Sequence, residues 1–224
     1  MGYGPSLDHR TPDQYARDFH EIAAMLRSVN PAFRVSAGAV TLSRAPQVAK
    51  DQIAGSGTEY IDGVLTSYEA QFGVRLPADA FAATAHVFEG GGVDQSVFDR
   101  QVIGFRQMLA DHGYADRPFI VTEIGVGIGT RDPAKVPPFM EHVMDFAAGT
   151  TDPKIGYARD GGRLIQRMAW FTAHGLPAWE RLRYLGFGAF VIHVGPTVLF
   201  TQDGQFTDLG VTYAARVALD GPEH

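Results

Sequence analysis

The clearest chemical signal in the chain is Glu123, which directly follows an apolar run of strand type. The run Phe119-Ile-Val-Thr leads into Glu123, and the glycine-rich segment 124–129 comes next. In parallel α/β barrels the active site lies at the carboxyl ends of the strands, so this position predicts a catalytic carboxylate in the mouth of the fold. On composition alone, a glutamate that caps or salt-bridges a loop is an interpretation of equal weight.

Three more residues at predicted strand ends suit a sugar site. His86 and Phe88 close one strand, and Trp170, followed by Phe171, closes another. Sugars offer hydroxyl groups at the rim and C–H faces that stack on rings, so an imidazole and aromatic side chains are fitting contacts. We therefore predict that His86, Phe88 and Trp170 bind substrate, with a core histidine and a core tryptophan as the plain alternatives.

No cofactor or metal is expected. The other histidines lack the paired spacing of metal ligands, and the glycine runs at 90–92 and 125–129 match neither a P-loop nor a dinucleotide fingerprint. The chain has no cysteine, which excludes a disulfide scaffold and a thiol nucleophile.

The overall charge excludes one class of partner. The chain has 224 residues and a formal net charge of −6, and its basic residues are scattered rather than clustered. A nucleic-acid surface is therefore not expected. The apolar stretches are too short to span a bilayer and the first ten residues carry no apolar signal segment, so we expect no membrane partner either.

Hydrophobic periodicity predicts a regular alternation of helices and strands. Thr11 can cap a first helix, Pro12 suits its first position, and Gln14 can complete a capping box. Strands are then predicted over 33–40, 81–88, 118–123 and 164–171, and further helices over about 61–72, 98–109, 138–148 and 207–219. Strands separated by helices form parallel βαβ units. The chain is thus predicted to be one α/β domain, 1–224, of (β/α)-barrel type with about half of the eight units.

Seven segments occur in an order that is familiar from a known family. They are Thr11-Pro-Asp-Gln-Tyr-Ala16, Val29-Asn-Pro-Ala32, Val35-Ser-Ala-Gly38, Ala85-His86, Phe119-Ile-Val-Thr-Glu-Ile-Gly125, Arg163-Leu-Ile-Gln-Arg-Met-Ala-Trp-Phe171, and the stretch 200–213 that leads into the last helix. The set resembles the second half of retaining barrel glycoside hydrolases of the cellulase-like clan, nearest the group called the glycosyl hydrolase catalytic core. The resemblance implies strands five to eight, Glu123 as nucleophile, His86 beside the sugar and Trp170 as its floor.

One departure from the family limits what the resemblance implies. The family keeps its acid/base glutamate in an Asn-Glu-Pro motif at the fourth strand, and this sequence contains no Asn-Glu-Pro. A retaining mechanism needs both carboxylates, about 5–5.5 Å apart. The expected half-barrel would have two bare strand edges, which a second copy of the chain or a missing amino-terminal half would complete.

Three functions follow from the sequence. The first is a retaining glycoside hydrolase acting on β-glycans, or a fragment of one. The second is a non-catalytic carbohydrate-binding or scaffold protein that keeps the sugar platform. The third is an unrelated barrel lyase or aldolase. The Schiff-base version of such an enzyme needs a buried lysine at a strand end, whereas Lys50, Lys135 and Lys154 all lie in predicted loops or near helix starts. The sequence supports the family but not activity of this chain by itself.

Overall fold

The computed structural model confirms the predicted alternation of helices and strands. It describes residues 10–42, 57–87, 94–126, 133–171 and 198–219, apart from Gln202. The elements in chain order are α1 (Pro12–Val29), β1 (Ser36–Thr41), α2 (Gly57–Phe72), β2 (Ala80–Val87), α3 (Gln95–Asp111), β3 (Phe119–Val126), α4 (Val136–Gly149), β4 (Arg167–Trp170) and α5 (Asp208–Leu219). Short 3₁₀ turns precede α4 and β4 at Pro133–Lys135 and Ala158–Asp160.

The first helix begins as its sequence predicts. The Thr11 hydroxyl accepts a hydrogen bond from the Gln14 backbone, and the Gln14 side chain accepts one from the Thr11 backbone N–H at 2.9 Å. Pro12 occupies the first turn, where its missing N–H costs nothing. The helix ends at Val29, and Asn30 follows as its C-cap.

The four strands form one parallel sheet. They lie in the order β1-β2-β3-β4, and each neighbouring pair is parallel. This is the α/β arrangement that the alternation predicts, in which helical crossovers join parallel strands. The described residues give a four-stranded sheet, and its closure into a barrel stays a prediction.

One face of the sheet packs against the helices. Phe119 of β3 lies 4.9 Å from Phe105 of α3, ring centre to ring centre, and Trp170 of β4 lies 6.2 Å from Phe139 of α4. Aromatic pairs at these separations add packing energy to the area that they bury. Phe105, Phe119 and Phe139 are all fully buried, so the hydrophobic core lies between this face and the helices.

The opposite face carries hydroxyl, imidazole and carboxylate groups, and we call it the polar face. Its polar side chains at the carboxyl-terminal half of the sheet are Thr41, Thr84, His86, Thr122 and Glu123. Strand β2 places Thr84 and His86 there by simple alternation, since the odd-numbered residues Phe81, Ala83, Ala85 and Val87 point the other way and are buried.

A buried arginine fixes the turn that leads into β3. Arg106 of α3 has no exposed surface and donates to the carbonyl of Arg117 at 2.9 Å and to that of Ala115 at 3.3 Å. Burial lowers its pKa to about 10, so it stays protonated at neutral pH. Because Phe119 begins β3 two residues after Arg117, this contact sets where the strand enters the sheet.

None of the described helices combines the length and the hydrophobicity that crossing a membrane requires.

Candidate active site

The structure brings two of the predicted site residues together. His86 near the end of β2 and Glu123 of β3 form a contact of 3.2 Å between Nε2 and Oε2. The histidine side chain is 12% exposed and the glutamate side chain 37% exposed, so the imidazole is largely enclosed while the carboxylate reaches solvent. A carboxylate held by an imidazole and open on one side is accessible to a ligand.

The second ring nitrogen of His86 also has a backbone partner. The imidazole makes a hydrogen bond to the backbone of Gly125, and its Nδ1 lies on the Gly125 side of the ring. A neutral imidazole has one N–H, so it donates to only one of two acceptors, whereas the imidazolium donates to both. The protonation state of His86 therefore decides how firmly Glu123 is held.

Opposing effects act on the pKa of His86. Burial lowers this pKa below its ordinary value of 6.5, because the charged ring loses solvation. The hydrogen bond to Glu123, the glutamate charge and the Gly125 backbone act the other way and raise it. Burial is the largest of these effects, so the pKa of His86 is lowered overall.

A bulge in β3 turns Glu123 onto the polar face. Val121 pairs with Ala83 of β2, but the next pair joins Glu123 to Thr84, so the register skips Thr122. Val121 and Ile124 are both fully buried, which breaks the two-residue alternation of a regular strand. Such bulges often lie next to active sites, where they redirect a side chain.

A row of polar side chains crosses the sheet at the level of Glu123. Thr41 of β1 pairs with Thr84 of β2, and Thr84 pairs with Glu123 of β3. The Thr84 hydroxyl donates to the Thr41 hydroxyl at 3.0 Å. Neither threonine is predicted from the sequence as a site residue, because isolated threonines in apolar runs carry no distinctive signal. Together with the carboxylate they give a surface that suits a polyhydroxylated ligand.

The aromatic ring next to the pair belongs to Phe171, not to Trp170. The rings of Phe171 and His86 meet edge to face at 5.5 Å, and the Phe171 backbone N–H donates to the carbonyl of Ile124 at 2.7 Å. A Cβ on Gly125 would lie 2.4 Å from the Phe171 carbonyl oxygen, so only glycine allows this close approach. Strand alternation could have pointed to Phe171, since it follows a core-facing residue.

Trp170 itself lies in the core. It is 8% exposed, and the contact with Phe139 of α4 places it on the helix-covered face. The structure thus does not place its ring beside the His86–Glu123 contact, and a role as sugar platform stays a prediction. Phe88, the remaining predicted substrate-binding residue, lies outside the described residues, as does Glu89.

Within the described ranges, no three His, Asp or Glu side chains are gathered in a way that could hold a metal ion.

Comparison with known proteins identifies the fold. No family model matches the chain, and no curated protein matches it. Two solved structures do: a glucosidase from Croceicoccus marinus, with a TM-score of 0.56 and 19% identity, and an endo-β-1,4-glucanase from Xanthomonas axonopodis pv. citri, with a TM-score of 0.51 and 12% identity. The chain has a glycoside hydrolase-like fold.

Each match covers 94% of this chain but only part of the other protein. The chain spans 37% of the glucosidase and 57% of the endoglucanase. The likeness therefore concerns a portion of a larger fold. The finer predicted assignment, to the glycosyl hydrolase catalytic core group, rests on the sequence resemblance alone.

The His86–Glu123 pair lies towards the carboxyl ends of its two strands. In parallel α/β barrels the reacting groups come from the carboxyl ends of the strands. His86 is the next-to-last residue of β2, and Glu123 lies in the second half of β3. The pair thus lies in the same half of its strands as the reacting groups of a parallel barrel, and a catalytic role for it is a proposal.

Proposed function

We propose that this chain carries the nucleophile side of a retaining glycoside hydrolase site for β-glycans, with Glu123 as the nucleophile. The observation that supports this most is the carboxylate itself. The bulge turns it onto the polar face, the His86 imidazole holds it at 3.2 Å, and 37% of its side chain stays exposed. The sequence resemblance adds the retaining mechanism and the likeness to the catalytic core group.

The proposed chemistry has two steps. A Glu123 carboxylate oxygen attacks the anomeric carbon, the bond from that carbon to the aglycone oxygen breaks, and the electron pair leaves with the aglycone. Water then attacks the anomeric carbon of the glycosyl ester, its proton passes to a solvent base, and the carboxylate of Glu123 leaves with the electron pair of the ester bond. Natural sugar leaving groups need a proton from a general acid, which the family supplies from the Asn-Glu-Pro motif that this sequence lacks.

The other polar-face residues would bind the sugar. His86 can donate to a sugar hydroxyl or to Glu123, and the Thr41 and Thr84 hydroxyls lie in the same row as the carboxylate. Phe171 offers an aromatic edge beside His86. We keep Phe88 and Trp170 as proposed substrate contacts on the strength of the resemblance.

Because the sequence lacks the acid motif, the test uses a substrate whose leaving group needs no general acid. A 2,4-dinitrophenyl 2-deoxy-2-fluoro-β-glucoside or β-cellobioside has a leaving group that needs no proton, and the fluorine slows hydrolysis of the ester. We expect about one equivalent of dinitrophenolate per chain, and a glycosyl adduct on the β3 peptide by mass spectrometry. Glu123→Gln should abolish both signals.

The matched control is Glu141→Gln, which removes an exposed carboxylate from the surface of α4. It should label like the unchanged protein. Labelling that survives Glu123→Gln, or an adduct on another carboxylate, would exclude Glu123 as the nucleophile.

The second candidate function is carbohydrate binding without catalysis. It is favoured by one specific feature: the Thr41 and Thr84 hydroxyls lie in a row with the Glu123 carboxylate, which suits sugar binding whether or not hydrolysis follows. Calorimetry with cello-oligosaccharides distinguishes the two functions. Saturable binding that is weakened by His86→Ala, without any adduct on Glu123, would favour this alternative.

A further inference from the structure

The bulge in β3 decides which face of the sheet receives Glu123. In a regular strand, residues two apart share a face, so Glu123 would lie on the same side as Val121. Val121 is fully buried against the helices. An ionised carboxylate in that position would be desolvated without a compensating charge, which is very costly. The extra residue, Thr122, reverses the alternation and keeps the carboxylate out of the core.

The same irregularity occurs against both neighbouring strands. On the β2 side, Ala83 pairs with Val121 and Thr84 with Glu123. On the β4 side, Val121 pairs with Met168 and Ile124 with Trp170, so two residues of β3 face one residue of β4. The bulge is therefore a property of the strand in the whole sheet and not of one ladder.

The Thr122 side chain bonds across the bulge. Its hydroxyl donates to the carbonyl of Ala83 at 3.2 Å. Ala83 is the last β2 residue in register before the shift, so the hydroxyl bonds the backbone at the point where the ladder is interrupted. The Thr122 side chain is otherwise exposed on the polar face, directly before Glu123.

We propose that Thr122 is a positioning residue: its hydroxyl holds the β3 bulge in place and so keeps the Glu123 carboxylate on the polar face against His86. Any effect on turnover rests on the proposed function of Glu123. The positioning itself does not, because it concerns the His86–Glu123 contact, which is present with or without hydrolysis.

The experiment compares Thr122→Val with Thr122→Ser. Valine keeps the branched shape and the strand preference but removes the donor, whereas serine keeps the donor. The first measurement is the NMR titration of His86. Contact with Glu123 raises the pKa of His86, so Thr122→Val should lower that pKa towards its value in Glu123→Gln, and Thr122→Ser should leave it near that of the unchanged protein.

The second measurement is the rate of labelling by the dinitrophenyl fluoroglycoside. Displacing a reacting group by about 1 Å can cost on the order of a hundredfold in rate. We expect Thr122→Val to slow the maximal labelling rate by about ten- to a hundredfold with little change in the half-saturating concentration. If Thr122 instead contacted the sugar directly, Thr122→Val would mainly raise the half-saturating concentration and would leave the His86 pKa unchanged. That result would overturn the proposal.

A remote control tests for general destabilisation. Thr212 of α5 also donates its hydroxyl to a backbone carbonyl, that of Asp208 at 3.0 Å, so Thr212→Val removes the same kind of bond from a helix that carries no site residue. It should alter neither measurement. If Thr122→Val shifts the His86 pKa but the unchanged protein gives no adduct, the positioning role holds and the hydrolase function fails. If the titration of His86 is the same in Thr122→Val and in the unchanged protein, the positioning role fails.

Discussion

At the scale of single residues, His86 and Glu123 depend on each other. The imidazole is largely buried, and burial disfavours its charged form, while the carboxylate 3.2 Å away favours that form. The Gly125 backbone adds a second acceptor for the same ring. The site therefore couples the charge of one residue to the orientation of the other, and this coupling can be measured as a dependence of stability on pH.

We predict that His86 lowers stability at acidic pH. Its pKa in the folded protein lies below 6.5, so as the pH falls through about 6.5 the unfolded chain takes up a proton that the folded protein does not. The stability associated with His86 is then lost until the pH reaches the folded pKa, at about 1.4 kcal/mol per unit of pKa difference. His86→Gln should lack this loss.

Urea unfolding of both proteins at several pH values checks the prediction. The difference in unfolding free energy between the unchanged protein and His86→Gln should shrink as the pH falls from about 7 to 5. If the unfolding free energies of the two proteins change with pH in parallel, the burial of His86 makes no contribution to the pH dependence of stability.

At the scale of elements, β1 has a bulge like that of β3. Gly38 pairs with Ala82 and Val40 with Ala83, so Ala39 is the extra residue, and its φ of 65° is positive. The bulge keeps Val40 in the core and leaves Thr41 beside Thr84 in the polar row. Two strands thus use the same irregularity to bring polar groups to one face.

The two residues of the β1 bulge should respond oppositely to substitution. Gly38 has a φ of 111°, and a Cβ there would lie 2.1 Å from the Ala82 carbonyl oxygen, so Gly38→Ala should destabilise by about 3 kcal/mol or more. Ala39→Gly relieves the positive φ of an alanine and should be neutral or stabilising by up to about 1 kcal/mol. Thermal unfolding of both variants measures the contrast, and equal effects would argue against the bulge geometry.

At the scale of the whole molecule, exposed large apolar side chains concentrate on the first and last helices. Ile22, Met25 and Val29 of α1 are 49%, 56% and 75% exposed, and Val211 and Val217 of α5 are 57% and 47% exposed. Of the three helices between them, only α3 carries such a residue, Ile103, in the described ranges. Helix α1 packs on α2 and α5 packs on α4, so the two helices lie at opposite ends of the helical layer, while β1 and β4 are the outer strands of the described sheet. Among the described residues, the two ends of the fold thus offer apolar surface, and β1 and β4 each pair with a strand on one side.

We propose that a second copy of the chain covers these ends. A two-fold axis would bring α1 of each copy to α5 of the other and β1 to β4, so four strands from each copy make the eight that a closed barrel requires. Light scattering after size-exclusion chromatography should then give twice the mass of one chain.

Met25→Glu should weaken this dimer at least about tenfold, because it places a charge in the interface. The control, Ile103→Glu, changes an exposed residue of α3, away from both ends, and should leave the dimer intact. A monomer at all concentrations would exclude self-pairing and leave the two ends for other strand–helix units.

The sequence by itself determined the elements and their order. The capping box at Thr11 and Gln14, the ends of the helices and the alternation of strands with helices all depend on residues close together in the chain. Local hydrogen bonds and periodicity therefore predicted them. The same holds for Glu123 and His86 as candidates, since each stands out at the end of an apolar run.

Only the tertiary structure decided which side chains meet. From the alternation of Phe119 and Val121, Glu123 belongs in the core, and the bulge at Thr122 moves it to the polar face. The tertiary structure likewise decides that Phe171, and not its neighbour Trp170, lies beside His86. A bulge exists only between paired strands, because it depends on the register with distant residues, so no pattern within β3 could have revealed it.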